Sequence, residues 1–212
     1  MVGTKGHKVV ENIPPEEVVK RLLKAADTLP ERVLVYGLIF TGMRIGELVH
    51  MRKSWVRWDL NPPRIFVPYR QACSCRHCIE AGYRRDKKTG KLVLVKPESS
   101  WQAKTERAKR AIVVPPALQP LLKEFFAKHQ AVMQIIPYRE IAWFMLKRIA
   151  KRAGVNWRVF PHLLRGVYAS KLATQGVNIY KLKSTMGWKS IDMAVKYVET
   201  YGPVSEEEIV EW

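Results

Sequence analysis

The chain has 212 residues, 47% hydrophobic and 26% charged, with 37 Lys and Arg against 19 Asp and Glu and a formal net charge of +18. Length and composition fit one large globular domain and argue against a low-complexity chain. No apolar run approaches the ~20 residues of a membrane span and no secretory signal opens the chain, so no membrane partner and a soluble cytoplasmic protein are expected.

The charge excess is densest across residues 61–115 and calls for a polyanionic partner, above all nucleic acid. Residues 1–13 read as a flexible lead-in, polar and basic for most of their length. Pro14-Pro15-Glu16-Glu17 then opens a helix, because proline suits its first turn and acids suit the positive end of its dipole. Val18, Val19, Leu22, Leu23 and Ala26 give that helix an apolar stripe. A second, more apolar helix covers 31–40 and closes at Thr41-Gly42, and a short third one starts at Arg44.

The pattern changes at Val56. Asn61-Pro62-Pro63 reads as a turn, and 64–67, 91–95 and 111–114 read as strands of one small sheet. An insertion at about 70–100 lies between strands and carries a cysteine cluster. Helices return at about 117–129, 138–153, 161–175, 178–186 and 190–198, with Gly154 and Gly176 as stops. The fold class is therefore mainly α with a small antiparallel β-sheet (α+β). Residues 202–212 form a tail in which Ile209, Val210 and Trp212 are spaced for one face of a short helix.

One constellation carries chemistry. His162 and Arg165 stand one helical turn apart and can face one site. An arginine fork matches a phosphate, a histidine moves protons, and a tyrosine hydroxyl can attack phosphorus. Tyr197 and Tyr201 supply two candidate hydroxyls, also one turn apart.

These residues belong to a longer ordered set. It comprises Thr41-Gly42-Met43-Arg44-Ile45-Gly46-Glu47-Leu48, Lys104-Thr105, His162-Leu163-Leu164-Arg165, Met186-Gly187-Trp188-Lys189-Ser190 and Tyr197. In order and spacing the set resembles the catalytic domain of the tyrosine recombinases, the phage- and plasmid-type integrases, over roughly residues 15–201. The resemblance implies a site-specific DNA recombinase that cuts and rejoins double-stranded DNA through a 3′-phosphotyrosyl link, needing no cofactor or ATP for catalysis. It also implies assembly as a tetramer on paired sites.

By the same resemblance Arg44, Lys104, His162, Arg165, Trp188 and Tyr197 are the catalytic set, within a catalytic domain spanning 14–201. Glu47, Lys109 and Lys189 are assigned to the substrate side, Glu47 as the residue that orients Arg44 and Lys109 as the alternative to Lys104. Three departures stand out. Trp188 occupies a place where the family most often has histidine; indole donates one hydrogen bond and exchanges no proton near pH 7. Residues 1–13 are too few for the DNA-clamping domain of most relatives. The 70–100 insertion is long.

The cluster Cys73-Ser74-Cys75-Arg76-His77-Cys78 is open to three readings: a structural zinc on Cys73, Cys75, His77 and Cys78, reduced thiols, or a disulfide. Two other functions compete with the recombinase. One is a non-catalytic helix-turn-helix DNA-binding protein built on 162–198, and the other a type IB-like topoisomerase.

Overall fold

The computed structural model describes residues 9–94, 99–104 and 106–203. Its helices are α1 (Glu16–Lys24), α2 (Leu29–Thr41), α3 (Ile45–Val49), α4 (Arg76–Glu80), α5 (Gln119–Lys128), α6 (Arg139–Arg152), α7 (Pro161–Thr174), α8 (Ile179–Met186) and α9 (Asp192–Tyr201). Its strands are β1 (Val56–Arg57), β2 (Arg64–Val67), β3 (Arg70–Ala72), β4 (Tyr83–Arg85), β5 (Leu92–Leu94), β6 (Ser100–Gln102) and β7 (Arg110–Val113). The helices fall close to the segments expected from sequence, except α4, which lies in the insertion and is not among them.

Helix α2 is the axis of the molecule. It is apolar nearly all round, as a central helix must be, and it packs against α7, α5 and α6. Its start is fixed by a capping box in which Thr28 Oγ1 accepts from the Glu31 amide at 3.4 Å and Glu31 Oε2 accepts from the Thr28 amide at 3.4 Å. Glu31 is buried, and its charge is met by Arg148 at 3.0 Å and Arg152 at 2.5 Å from α6. The helix stops at Gly42, whose φ of 59° suits glycine, and a Cβ there would meet the Tyr168 ring at 2.4 Å. That stop turns the chain toward Arg44.

The strands differ from the single sheet that the sequence predicts. They form three antiparallel units: β1-β2-β7, β3-β6 and β4-β5. The first packs into the core, with Ile65 paired to Ile112 and both buried, and β3-β6 reaches the same core through Trp101 of β6. The other two belong to the insertion. Its β4–β5 ribbon leaves Leu92, Val93 and Leu94 exposed, so the apolar residues of that segment mark a strand without marking core.

A smaller apolar cluster joins α7, α8 and α9 around Ala169, Leu182, Met186, Ala194 and Tyr197. Val10 is buried in it, so residues 9–13, predicted within a flexible lead-in, are packed against this end of the molecule. The amphipathic pattern at 204–212 lies outside the described residues. Among the described residues no helix is long and apolar enough to cross a membrane.

Candidate active site

The turn after α8 collects the site. Gly187 ends α8 at φ 59°, and the carbonyls there point toward two arginines. Arg44 donates from Nη2 to the Gly187 carbonyl at 2.8 Å. Arg165, buried on α7, donates from Nη1 to the Gly42 carbonyl and from Nη2 to the Met186 carbonyl. Two guanidinium groups from distant parts of the chain thus hold one turn. Burial, then the charge of Arg44, lowers the Arg165 pKa to about 9, which leaves it charged at neutral pH.

Beneath Arg44 lies Glu47. It caps α3 by accepting from the Arg44 amide at 2.8 Å and pairs with Arg44 Nη1 at 2.9 Å. Its other partner is Arg110 of β7, whose Nη2 and Nη1 lie 2.9 and 3.2 Å from the two carboxylate oxygens. Arg110 also donates from Nε to the Thr185 carbonyl at 2.9 Å. With 2% of its surface exposed, Glu47 lies behind Arg44, paired with it, as expected of a residue assigned to orient that guanidinium.

Burial alone would raise the Glu47 pKa, but Arg110, Arg44 and Arg165 together bring it down to about 2. Its stabilising effect is full above the ordinary value of 4.5 and is lost as pH falls from there through about 2. Glu47→Gln would leave the buried Arg110 charge facing a neutral amide, at a cost of about 3–5 kcal/mol. Denaturant titration at pH 7 is expected to show that loss, with the gap to the unsubstituted protein closing in strong acid.

Tyr197 of α9 packs beside the residue that follows Gly187. Its ring stacks on Trp188 with centroids 5.5 Å apart and planes at 15°. Its hydroxyl rests against Gly166, where a Cβ would come within 2.9 Å of the oxygen. A larger residue at 166 would crowd the phenol together with the Ile13 and Val9 side chains. Tyr197 is 2% exposed, and burial, then Tyr201, raise its pKa, with Arg165 pulling the other way. Tyr201 differs: its hydroxyl donates to the Val10 carbonyl at 2.5 Å, so that group is occupied in holding the N-terminal segment.

His162 opens α7 and is exposed. Protein atoms crowded around its ring, then the charges of Arg165, Arg44 and Lys104, lower its pKa below the ordinary 6.5. Lys104 is exposed between β6 and β7, near enough for its charge to act on His162. Lys109 points elsewhere, into an open groove that it lines with Arg64, Tyr180, Lys181, Lys183 and Trp188. Lys189 is exposed just beyond Trp188.

Sequence reasoning passed over Arg110. The strand period held the signal, since Arg110 shares a face with the buried Ile112 whereas Lys109 lies outside the strand. The cysteine cluster needs a correction too. Cys73, Cys75 and Cys78 converge with His50, not with His77. Neighbouring positions on α4 point about 100° apart, so burying Cys78 turns His77 outward, where Arg139 Nη2 lies 3.3 Å from its Nε2.

Known proteins share the sequence pattern and the fold of this chain. The model of the phage integrase family matches residues 13–202. The tyrosine recombinase XerD of Neisseria meningitidis serogroup A is 26% identical over 201 residues, covering 90% of this chain and 60% of that protein. The tyrosine recombinase XerA of Thermococcus kodakarensis is 26% identical over 197 residues, covering 91% of this chain and 60% of that one. A crystal structure of XerA recombinase superposes with a TM-score of 0.62 at 18% identity, over 92% of this chain and 60% of its own. Fold and sequence define a tyrosine recombinase catalytic domain. The chain belongs to the phage integrase family, and it spans about 60% of the length of the curated relatives it matches. The match takes in α1 to α9, so α7 and α8 are parts of this domain and not a free-standing helix-turn-helix unit.

Proposed function

We propose that this chain is the catalytic part of a site-specific DNA recombinase that cuts and rejoins duplex DNA through a 3′-phosphotyrosyl bond to Tyr197. One observation carries the reading: Arg44 and Arg165 hold the turn from which Trp188 stacks on Tyr197. The Arg165 charge acts on the Tyr197 phenol, and Arg44 grips the same turn as Arg165.

The roles follow from the chemistry of a phosphodiester. Charge builds on the non-bridging oxygens in the transition state, and fixed guanidinium groups stabilise it there. Both arginines keep N–H donors beyond those spent on backbone carbonyls. Glu47 and Arg110 hold Arg44 in place. The Tyr197 oxygen attacks phosphorus, its proton passes to neutral His162, and the bond to the 5′ oxygen breaks as Lys104 protonates it. Reversal with a new 5′ hydroxyl rejoins the strand, so no ATP is spent. Trp188 keeps the phenol in register by stacking and moves no proton. Because Tyr197 is buried, α9 must shift when DNA docks, bringing the hydroxyl to the phosphate.

The basic groove beside Trp188 supports a path for duplex DNA, with Lys109 and Lys189 contacting phosphates. Recombination then requires four chains around two duplexes, joined through protein contacts. No cofactor takes part in the chemistry.

A pool of randomised, singly nicked duplexes tests the reading. The short fragment released on cleavage diffuses away and traps the covalent protein–DNA adduct, which is expected without ATP. Supercoil relaxation with no joining between duplexes would favour a topoisomerase, and absence of any adduct would refute the proposal. The pH profile adds a second check. A base with a lowered pKa stays neutral further into acid, so the rate of adduct formation is expected to hold below pH 6.5 and fall only at lower pH.

A further inference from the structure

We propose that His50, Cys73, Cys75 and Cys78 bind one zinc ion, which fastens the insertion to the end of α3. The four side chains come from separate places: His50 caps the C-terminus of α3, Cys73 follows β3, and Cys75 and Cys78 begin α4. Their ligand atoms all lie within 4.8 Å of one another. His50 Nε2 is 3.5 Å from Cys75 Sγ and 3.4 Å from Cys78 Sγ. Zn–S bonds near 2.3 Å and Zn–N bonds near 2.0 Å put the corners of a tetrahedron about 3.5–3.8 Å apart. The observed nitrogen–sulfur separations match such edges.

The surroundings orient the ligand atoms. His50 Nδ1 lies 2.7 Å from the Gly46 carbonyl, which only accepts, so Nδ1 carries the proton and Nε2 turns a bare lone pair toward the sulfurs. The Cys78 amide donates to Cys75 Sγ at 3.4 Å and fixes where that sulfur sits. Trp101 of β6 stacks on the imidazole with centroids 5.4 Å apart and holds its plane. Three thiolates and a zinc ion sum to one negative charge, and basic side chains border the cluster. Arg52 donates to the Ala72 carbonyl at 2.5 Å, and Arg139 contacts His77.

Soft sulfur donors in a tetrahedral set with one imidazole select zinc over magnesium or calcium. A disulfide fits less well, because pairing two of the three thiols leaves the third and the imidazole facing it. The three thiols remain unbridged. The ion has a structural task. The insertion leaves the body at β3 and returns at β6, and its hydrogen bonds to the body near His50 include Gln71 to the His50 carbonyl at 2.9 Å. Four metal bonds close that junction.

Metal analysis of the whole chain, purified or refolded with zinc under reducing conditions, is expected to give one zinc per chain. Cobalt in its place should show the visible bands of a tetrahedral ion and thiolate-to-cobalt charge transfer. His50→Ala and Cys78→Ser should each weaken metal affinity by at least about tenfold, while His77→Ala retains one ion. If those variants fail to fold, the unsubstituted protein decides: zinc should shield its three thiols from alkylation, and a chelator should expose them together. Failure to take up stoichiometric metal, thiols equally reactive with and without zinc, or unchanged metal affinity in His50→Ala would overturn the site. None of these readouts depends on DNA cleavage, so they stand or fall apart from the recombinase proposal.

Discussion

Tyr197→Phe is expected to abolish the covalent protein–DNA adduct while leaving DNA affinity nearly unchanged. The substitution removes one oxygen from a ring that keeps its stack on Trp188 and its place in the apolar cluster. No phosphate contact is lost, so binding measured by gel shift should stay within about twofold, well below the roughly tenfold that 1.4 kcal/mol represents. Tyr201→Phe should keep the adduct. Its hydroxyl serves the Val10 carbonyl, and the loss should appear as about 1 kcal/mol of stability. An adduct formed by Tyr197→Phe and lost in Tyr201→Phe would exchange the two roles.

Arg165→Lys is the second large effect. The guanidinium spans two carbonyls, Gly42 at the end of α2 and Met186 at the end of α8, and a lysine ammonium cannot reproduce that fork. Cleavage is expected to slow by about 10²–10³-fold, the usual cost of removing one donor aimed at developing charge. Stability should fall as well, because a buried carbonyl left without its donor costs about 1–3 kcal/mol. Arg44→Lys separates the two effects. Arg44 is only partly buried, so its replacement should slow cleavage to a similar extent with a smaller change in the unfolding midpoint. Single-turnover cleavage and denaturant melts of both variants test this pair. Equal rates for the two variants and the unsubstituted chain would remove the arginines from the chemistry.

The sequence disclosed the helices and the motif residues for different reasons. Apolar spacing, Pro14-Pro15 and Gly42 mark helix limits through local geometry, which needs no knowledge of the rest of the chain. Arg44, His162, Arg165, Trp188 and Tyr197 were legible through their order and spacing. What local pattern could not reveal was pairing across the chain. Glu47 meets Arg110 only because β7 runs antiparallel to β2 and lies against α8. His50 joins the thiols only because β3 and α4 fold back onto the end of α3. A histidine inside the apolar run Leu48-Val49-His50-Met51 was the one local hint that a buried polar group there needs a partner. The insertion departed for a related reason: Leu92 to Leu94 form the expected strand but pair with β4 in an exposed ribbon instead of joining the β1-β2-β7 sheet.

The most direct measurement is to locate the bond between protein and DNA. Adduct formed by the unsubstituted chain on nicked duplex would be digested with protease and nuclease, and the modified peptide sequenced by mass spectrometry. The account requires a nucleotide linked through its 3′-phosphate to the oxygen of Tyr197, with a free 5′-hydroxyl on the released strand. A link to Tyr201 or to any other residue, or a 5′-phosphate attachment, would contradict it.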